Sequence, residues 1–167
     1  MILRSAKAED IDFIREIEMD PAYSPFISLD SKRTHLAQIQ DECITLGIYE
    51  IEEKRVGFLL GLYNPNLQIY ELRRLALTIQ GKGLGKQALL LAFKDAFENF
   101  GAQRLWLDVY EYNERGIALY RSMGMVHEGI LRRSDKKQGG FCNQWLFSIL
   151  KEEYNTGLDD GKYLCNN

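Results

Sequence analysis

Three glycines at alternate positions, with lysines among them, fill the stretch Gln80-Gly81-Lys82-Gly83-Leu84-Gly85-Lys86. Without Cβ atoms the chain can turn tightly and bring backbone N–H groups close to a ligand, and the lysines add positive charge. Behind the loop, apolar residues recur at helical spacing, with Leu89, Phe93 and Phe97 on one row and Ala88, Ala92, Ala96 and Phe100 on the next. The glycines therefore stand at a helix N-terminus, where unsatisfied N–H groups and the helix dipole favour an anion. A pyrophosphate suits a site of this length.

Two nucleotide motifs compete for the same residues. A nucleoside-triphosphate loop ends in Gly-Lys-Ser/Thr, and Gly85-Lys86-Gln87 lacks the hydroxyl that would hold magnesium. The dinucleotide fingerprint fits better, because Gly83, Gly85 and Ala88 match its glycine spacing and Asp108 stands roughly where a ribose-binding acid belongs. Against it, the chain before the loop reads as antiparallel strands, and too few residues follow to build a second mononucleotide-binding half. A dinucleotide-binding oxidoreductase stays open as an alternative.

The elements that must position this loop follow from periodicity. Residues 2–5 read as a strand, and Ala8-Glu9-Asp10 opens a helix that ends before Pro21 and carries Ile11, Ile14, Ile17 and Glu18 at helical spacing. A loop with Pro21, Tyr23, Pro25 and Phe26 leads to a second helix that Asp30 or Ser31 can cap. Residues 44–51, 56–63 and 67–78 are strands separated by short polar breaks, so they pair antiparallel. The third feeds the glycine loop. After the helix, which Gly101 stops, residues 103–109 form a strand that should run parallel to the one before the loop. A helix over 113–123 and a closing hairpin from residues 125–132 and 141–150 complete residues 1–153 as a single domain. Residues 154–167 are expected to fray.

Composition narrows the class. The 167 residues carry 21 Lys+Arg against 24 Asp+Glu, a formal charge of -3, which gives no basic excess for nucleic acid. No apolar run approaches the roughly 20 residues of a membrane span, no leader-like segment opens the chain, and a cytoplasmic location is expected. Cys43, Cys142 and Cys165 are odd in number and far apart, so they read as reduced thiols. His35 and His127 are too isolated for a zinc site or a hydrolase triad, and no metal is expected.

Together with the glycine loop, the downstream block Asn113-Glu114-Arg115-Gly116-Ile117-Ala118-Leu119-Tyr120-Arg121-Ser122-Met123-Gly124-Met125 resembles the GCN5-related N-acetyltransferase (GNAT) superfamily. The resemblance implies an α/β (α+β) domain: a mixed, mostly antiparallel sheet of about six to seven strands flanked by about four helices. It also implies acetyl-CoA as cofactor. Gln80, Gly81, Lys82, Gly83, Leu84, Gly85 and Lys86 would hold its pyrophosphate. Backbone of Leu75, Ala76 and Leu77, on a strand that bulges in the family, would line its pantetheine arm and supply an oxyanion donor. Asn113 would touch it while capping its helix.

The implied reaction moves an acetyl group to a primary amine by direct attack in a ternary complex. It needs a base facing the amine and an acid for the leaving thiolate. Tyr120 suits the acid, since a phenol of pKa about 10 stays protonated beside a thiol of about 8.5. Glu71 is the first candidate base, because the family places a glutamate there. Alternation groups it with Ile69, Arg73 and Leu75. Asp108 is the second, where the family branch that acetylates ribosomal-protein N-termini has a longer glutamate. Tyr23 and Phe26 are placed by the resemblance in the acceptor wall, although both would also serve as packing residues. The closing stretch resembles the branch of ribosomal-protein N-terminal and polyamine acetyltransferases, so the acceptor is a small-molecule amine or a protein N-terminus. A homodimer is compatible with this. A non-catalytic acyl-CoA-binding regulatory module is the second alternative.

Overall fold

The computed structural model describes residues 1–79, 81, 83–137 and 139–163. Seven strands form one sheet: β1 Ile2–Ser5, β2 Ile44–Ile51, β3 Lys54–Asn64, β4 Ile69–Leu77, β5 Arg104–Tyr110, β6 Val126–Lys137 and β7 Gly140–Leu150. They lie in the order β1-β2-β3-β4-β5-β7-β6. Every neighbouring pair is antiparallel except β4 and β5, which are joined through a helix. The helices are α1 Ile11–Met19, α2 Lys32–Gln40, α3 Leu84–Lys94, α4 Glu114–Ser122 and α5 Lys151–Asp159, one more than expected. None of the described helices is long and apolar enough to cross a membrane.

Two features of β4 shape the centre of the molecule. Its pairing with β5 covers only three steps, from Ile69↔Arg104 to Glu71↔Trp106, whereas β5 stays paired with β7 from Arg104 to Tyr110. The sheet therefore parts between the second half of β4 and that of β5. In addition, Leu60 pairs with Arg74 and Gly61 with Leu72, which leaves Arg73 as an extra residue in β4. This bulge lies upstream of the segment 75–77 where the resemblance placed it.

The bulge reverses the strand's alternation. Tyr70 and Leu72 belong to the main core with α3 before it, and Leu75 and Leu77 pack against that core after it. Ala76 joins the opposite cluster, with Ile14 and Ile17 of α1. Glu71 thus shares a face with Arg74 and Ala76 rather than with Leu75, a correction to strict alternation, because one inserted residue flips every side chain beyond it.

Arg74 consequently points into a polar network beneath α1 and α2. Its guanidinium donates to Glu18 at 2.7 Å and to Asp30 at 2.8 Å. His35, isolated in the sequence, is fully buried between Glu18 at 3.1 Å and Gln38 at 2.9 Å. The donor atoms of Glu18, Asp30 and His35 lie within 4.8 Å of one another, as they would around a cation, and Arg74 already supplies the positive charge there. Burial works against the imidazolium, but hydrogen bonds to Glu18 and Gln38 leave His35 titrating above its ordinary value.

On the other face, Tyr70 donates to the buried carboxylate of Asp95 at 2.7 Å and Tyr49 donates to the Ala88 carbonyl at 2.9 Å, fastening α3 to the sheet. Gly61 leaves room for the Tyr70 ring, whose hydroxyl would lie 1.8 Å from any Cβ placed there. The tail expected to fray after Glu153 instead continues α5. Tyr154 and Tyr163 are buried in the main core, and Tyr154 stacks on Phe97 at 5.0 Å and donates to Glu98 at 2.6 Å. Two large aromatic rings outweigh the polar composition around them. Residues 164–167, including Cys165, lie outside the described residues.

Removing Arg74 would take away the permanent cation that faces the buried Glu18 carboxylate and leave it to His35 and the Asp30 N–H. Arg74→Ala is expected to lower stability by about 3–5 kcal/mol, the range for breaking a buried ion pair, read by urea denaturation. A loss below about 1 kcal/mol would mean that the pair behaves like an exposed one.

Candidate active site

Two cavities lie at the parting between β4 and β5. The first, of about 360 Å³, lies under the glycine loop and is lined by Gly81, Gly83, Lys86, Leu77, Arg115 and Tyr120 among others. The second, of about 300 Å³, is lined by Glu71, Arg73, Asp108, Tyr110 and Gln144 among others. Phe26, Ile27, Leu75, Asn113 and Tyr120 border both. The two cavities meet where the sheet splits.

The first cavity suits a ligand with a diphosphate head and an extended arm. Gly81 at φ +87° and Gly83 at φ +70° hold left-handed turns, and among the described residues, chain neighbours aside, no atom lies within 4 Å of the Cβ positions they leave open. Gly83 is the N-cap residue of α3, with Lys86 exposed in the first turn and Arg115 exposed on α4. Backbone groups of residues 75–77, without a β5 partner, form the long wall. An arm lying there would complete the sheet locally. Gln80 and Lys82, expected as cofactor contacts, lie outside the described residues.

Asn113 is the N-cap of α4, its side-chain oxygen accepting from the Gly116 N–H at 2.9 Å. That cap directs α4 so that Tyr120, two turns on, reaches the junction. Tyr120 is half-buried with its ring 5.8 Å from Phe147. Burial, and then the charge of Asp108, push its phenol up to about 12. A phenol shifted that way holds its proton throughout the neutral range.

The two carboxylates differ. Glu71 accepts a hydrogen bond from Arg73 Nε at 2.9 Å and forms an ion pair with it. Asp108 forms no ion pair among the described residues. It is exposed to the second cavity, yet the surrounding walls desolvate it and the charge of Glu71 adds to that effect, so its carboxyl titrates above the ordinary range despite Arg73 opposing. Glu71 and Asp108 share a face because Glu71 pairs with Trp106, two residues before Asp108.

The expected acceptor-wall residues separate. Phe26 borders both cavities and stands 5.8 Å from Tyr112. Tyr23 lines only the cofactor-side cavity, where its hydroxyl donates to the Leu77 carbonyl at 2.7 Å. Tyr112 donates to the Pro25 carbonyl at 3.0 Å, so the α1–α2 loop is pinned to both sides of the split. Sequence reasoning missed Arg115 and Tyr110. Arg115 sits two residues past the helix cap, where a cation faces the same opening as the glycine loop. Tyr110 sits two residues past Asp108 and so on its face.

The family model described as the acetyltransferase (GNAT) family matches residues 11–125. The chain is 24% identical over 168 residues to an uncharacterized N-acetyltransferase p20 of Bacillus licheniformis, covering 92% of this chain and 94% of that protein. It is 24% identical over 165 residues to the spermidine N(1)-acetyltransferase of Escherichia coli (strain K12), covering 91% and 87%. A spermidine N-acetyltransferase from Vibrio cholerae, solved in complex with CoA and spermine, shares its fold with a TM-score of 0.83 at 19% identity, over 92% of this chain and 96% of that one. With a family match that spans most of the domain, a glycine cradle and a split sheet, the chain belongs to the acetyltransferase (GNAT) family and is an N-acetyltransferase that uses acetyl-CoA.

Proposed function

We propose that this N-acetyltransferase binds its two substrates at once, one in each cavity, and transfers the acetyl group directly to a primary amine at their junction. The observation that carries this reading is the position of Tyr120 on the border of both cavities. Acetyl-CoA, held by the glycine cradle, supplies the acetyl group as a thioester: the amine nitrogen bonds to its carbonyl carbon, the C–S bond breaks, and the products are the amide and the CoA thiol. Gly81, Gly83, Leu84, Gly85 and Lys86 hold the pyrophosphate, and Leu75, Ala76 and Leu77 align the arm. A backbone N–H on that strand faces the carbonyl oxygen as negative charge builds on it.

Asp108 takes the proton that the amine must lose, directly or through a water, and passes it to solvent. Its raised pKa brings it closer to a useful base at neutral pH. Glu71, tied to Arg73, acts through its charge on Asp108. Tyr120 gives its proton to the departing sulfur and regains one from solvent. Per turnover one ammonium ion becomes one amide, with one proton released. The relatives that act on spermidine support a small-molecule amine as acceptor, with a protein N-terminus as the second possibility. One solved neighbour is dodecameric, and self-association, a homodimer at least, is part of the proposal. Free thiols at Cys43 and Cys142 accord with a cytoplasmic location.

Two measurements test these roles. Tyr120→Phe should lower kcat by about 10²-fold or more with little change in CoA affinity, as for a lost general acid; unchanged turnover would remove Tyr120 from the mechanism. The second concerns pH. A base whose pKa is raised loses its active form as pH falls through that value, so kcat/KM should show an acid limb above the ordinary carboxyl value of about 3.9. Asp108→Asn should abolish that limb, while Glu71→Gln should move it to lower pH. Loss of the limb in Glu71→Gln, with Asp108→Asn retaining it, would reassign the base.

A further inference from the structure

The charges around the acceptor cavity point to the kind of amine it takes, given the reaction proposed above. Inside the cavity, Arg73 neutralises Glu71 at 2.9 Å, and Arg74 is held by Glu18 and Asp30 at 2.7 and 2.8 Å. Among the described residues this leaves Asp108 as the lining carboxylate with no ion-pair partner. One ammonium balances it.

A segment of opposite sign stands beside the cavity, behind Tyr110 and Gln144 of its wall. Residues 132–137 of β6 carry Arg132, Arg133, Lys136 and Lys137 against Asp135 alone. Several contacts fix this segment beside the cavity. Tyr110, which lines it, donates to Asp135, and the Lys137 ammonium sits 5.0 Å from the centre of the Tyr110 ring. Ser134 Oγ lies 2.7 Å from Gln144 Oε1, and Gln144 also lines the cavity. Asp135 accepts from Tyr110 and from the Lys136 N–H and pairs with Lys137 at 3.6 Å, while Arg132, Arg133 and Lys136 are exposed. Lys137 faces the Tyr110 side with Asp135, Lys136 packs over Phe141, and Arg132 and Arg133 line a neighbouring cavity, so the whole segment contributes as a field of positive charge.

We propose that this acceptor site selects an amine with a single ammonium, which meets Asp108, and with a carboxylate or similar anion further along, which meets the basic edge of β6. A polyamine would bring its remaining ammonium groups against that edge, where like charges disfavour binding. The site therefore discriminates against spermidine even though relatives of the chain are named for it.

Three amines on the same five-carbon chain test this with acetyl-CoA: 5-aminopentanoate, pentylamine and cadaverine, whose far ends are negative, neutral and positive. At low salt kcat/KM should fall in that order by at least about tenfold from first to last, and high salt should compress the spread. The surface variant K136E/K137E should bring cadaverine above 5-aminopentanoate. Spermidine or cadaverine outperforming pentylamine in the unaltered protein, or an order indifferent to the double substitution, would overturn the inference. Turnover of no amine in the set would defeat the acyl-transfer reading for small amines, whereas turnover in the wrong order defeats only the charge selection.

Discussion

The parting of β4 from β5 is the constraint on which the rest of the molecule depends. A sheet normally satisfies its backbone groups strand against strand, so a split in its middle leaves unpaired N–H and C=O groups on an inner strand. Here the three-residue pairing at Ile69–Glu71 acts as the hinge of the wedge, and the open edge beyond it is a template for an extended ligand. The glycine turns at Gly81 and Gly83 follow the end of β4, where the proposed ligand would place its head. The fold therefore has a sheet left incomplete at its centre, and in the reading proposed here the substrate supplies the missing strand.

Keeping such a wedge open requires reinforcement on both faces. On one, α3 is fastened by the Tyr70–Asp95 and Tyr49–Ala88 hydrogen bonds. On the other, the Arg73 bulge turns Arg74 into the Glu18–Asp30–His35 network, so a break in strand regularity becomes a buried anchor for α1 and α2. The loop between those helices then bridges the split, bonded to Leu77 on one side and to Tyr112 on the other. The same bulge puts Glu71 and Arg73 together at the second cavity, which leaves Asp108 as its lining carboxylate with no ion-pair partner among the described residues.

Much of this was legible in the sequence, for identifiable reasons. The glycine run, the helical rows of α3 and the Asn113 cap are local signals, and each element appears where those signals place it. The single parallel pair also follows from local reading, because a helix separates β4 from β5. What could not be read were non-local effects. A bulge adds one residue without any residue type that marks it, so Glu71 was assigned to the wrong row. His35 looked isolated because its partners, Glu18 and Gln38, come together only when α1 packs on α2. The final segment looked frayed because its two burying rings, Tyr154 and Tyr163, are far apart in a polar stretch. Which of the two carboxylates finds an arginine is a property of side-chain geometry that no local signal marks.

A crystal structure with bound acetyl-CoA tests the central claim most directly. The account predicts the pantetheine arm extended along Leu75, Ala76 and Leu77 within the split, with the thioester sulfur within hydrogen-bonding reach of the Tyr120 hydroxyl, about 3.5 Å for a sulfur acceptor. An arm lying outside the split, with β4 and β5 closed together behind it, would contradict it.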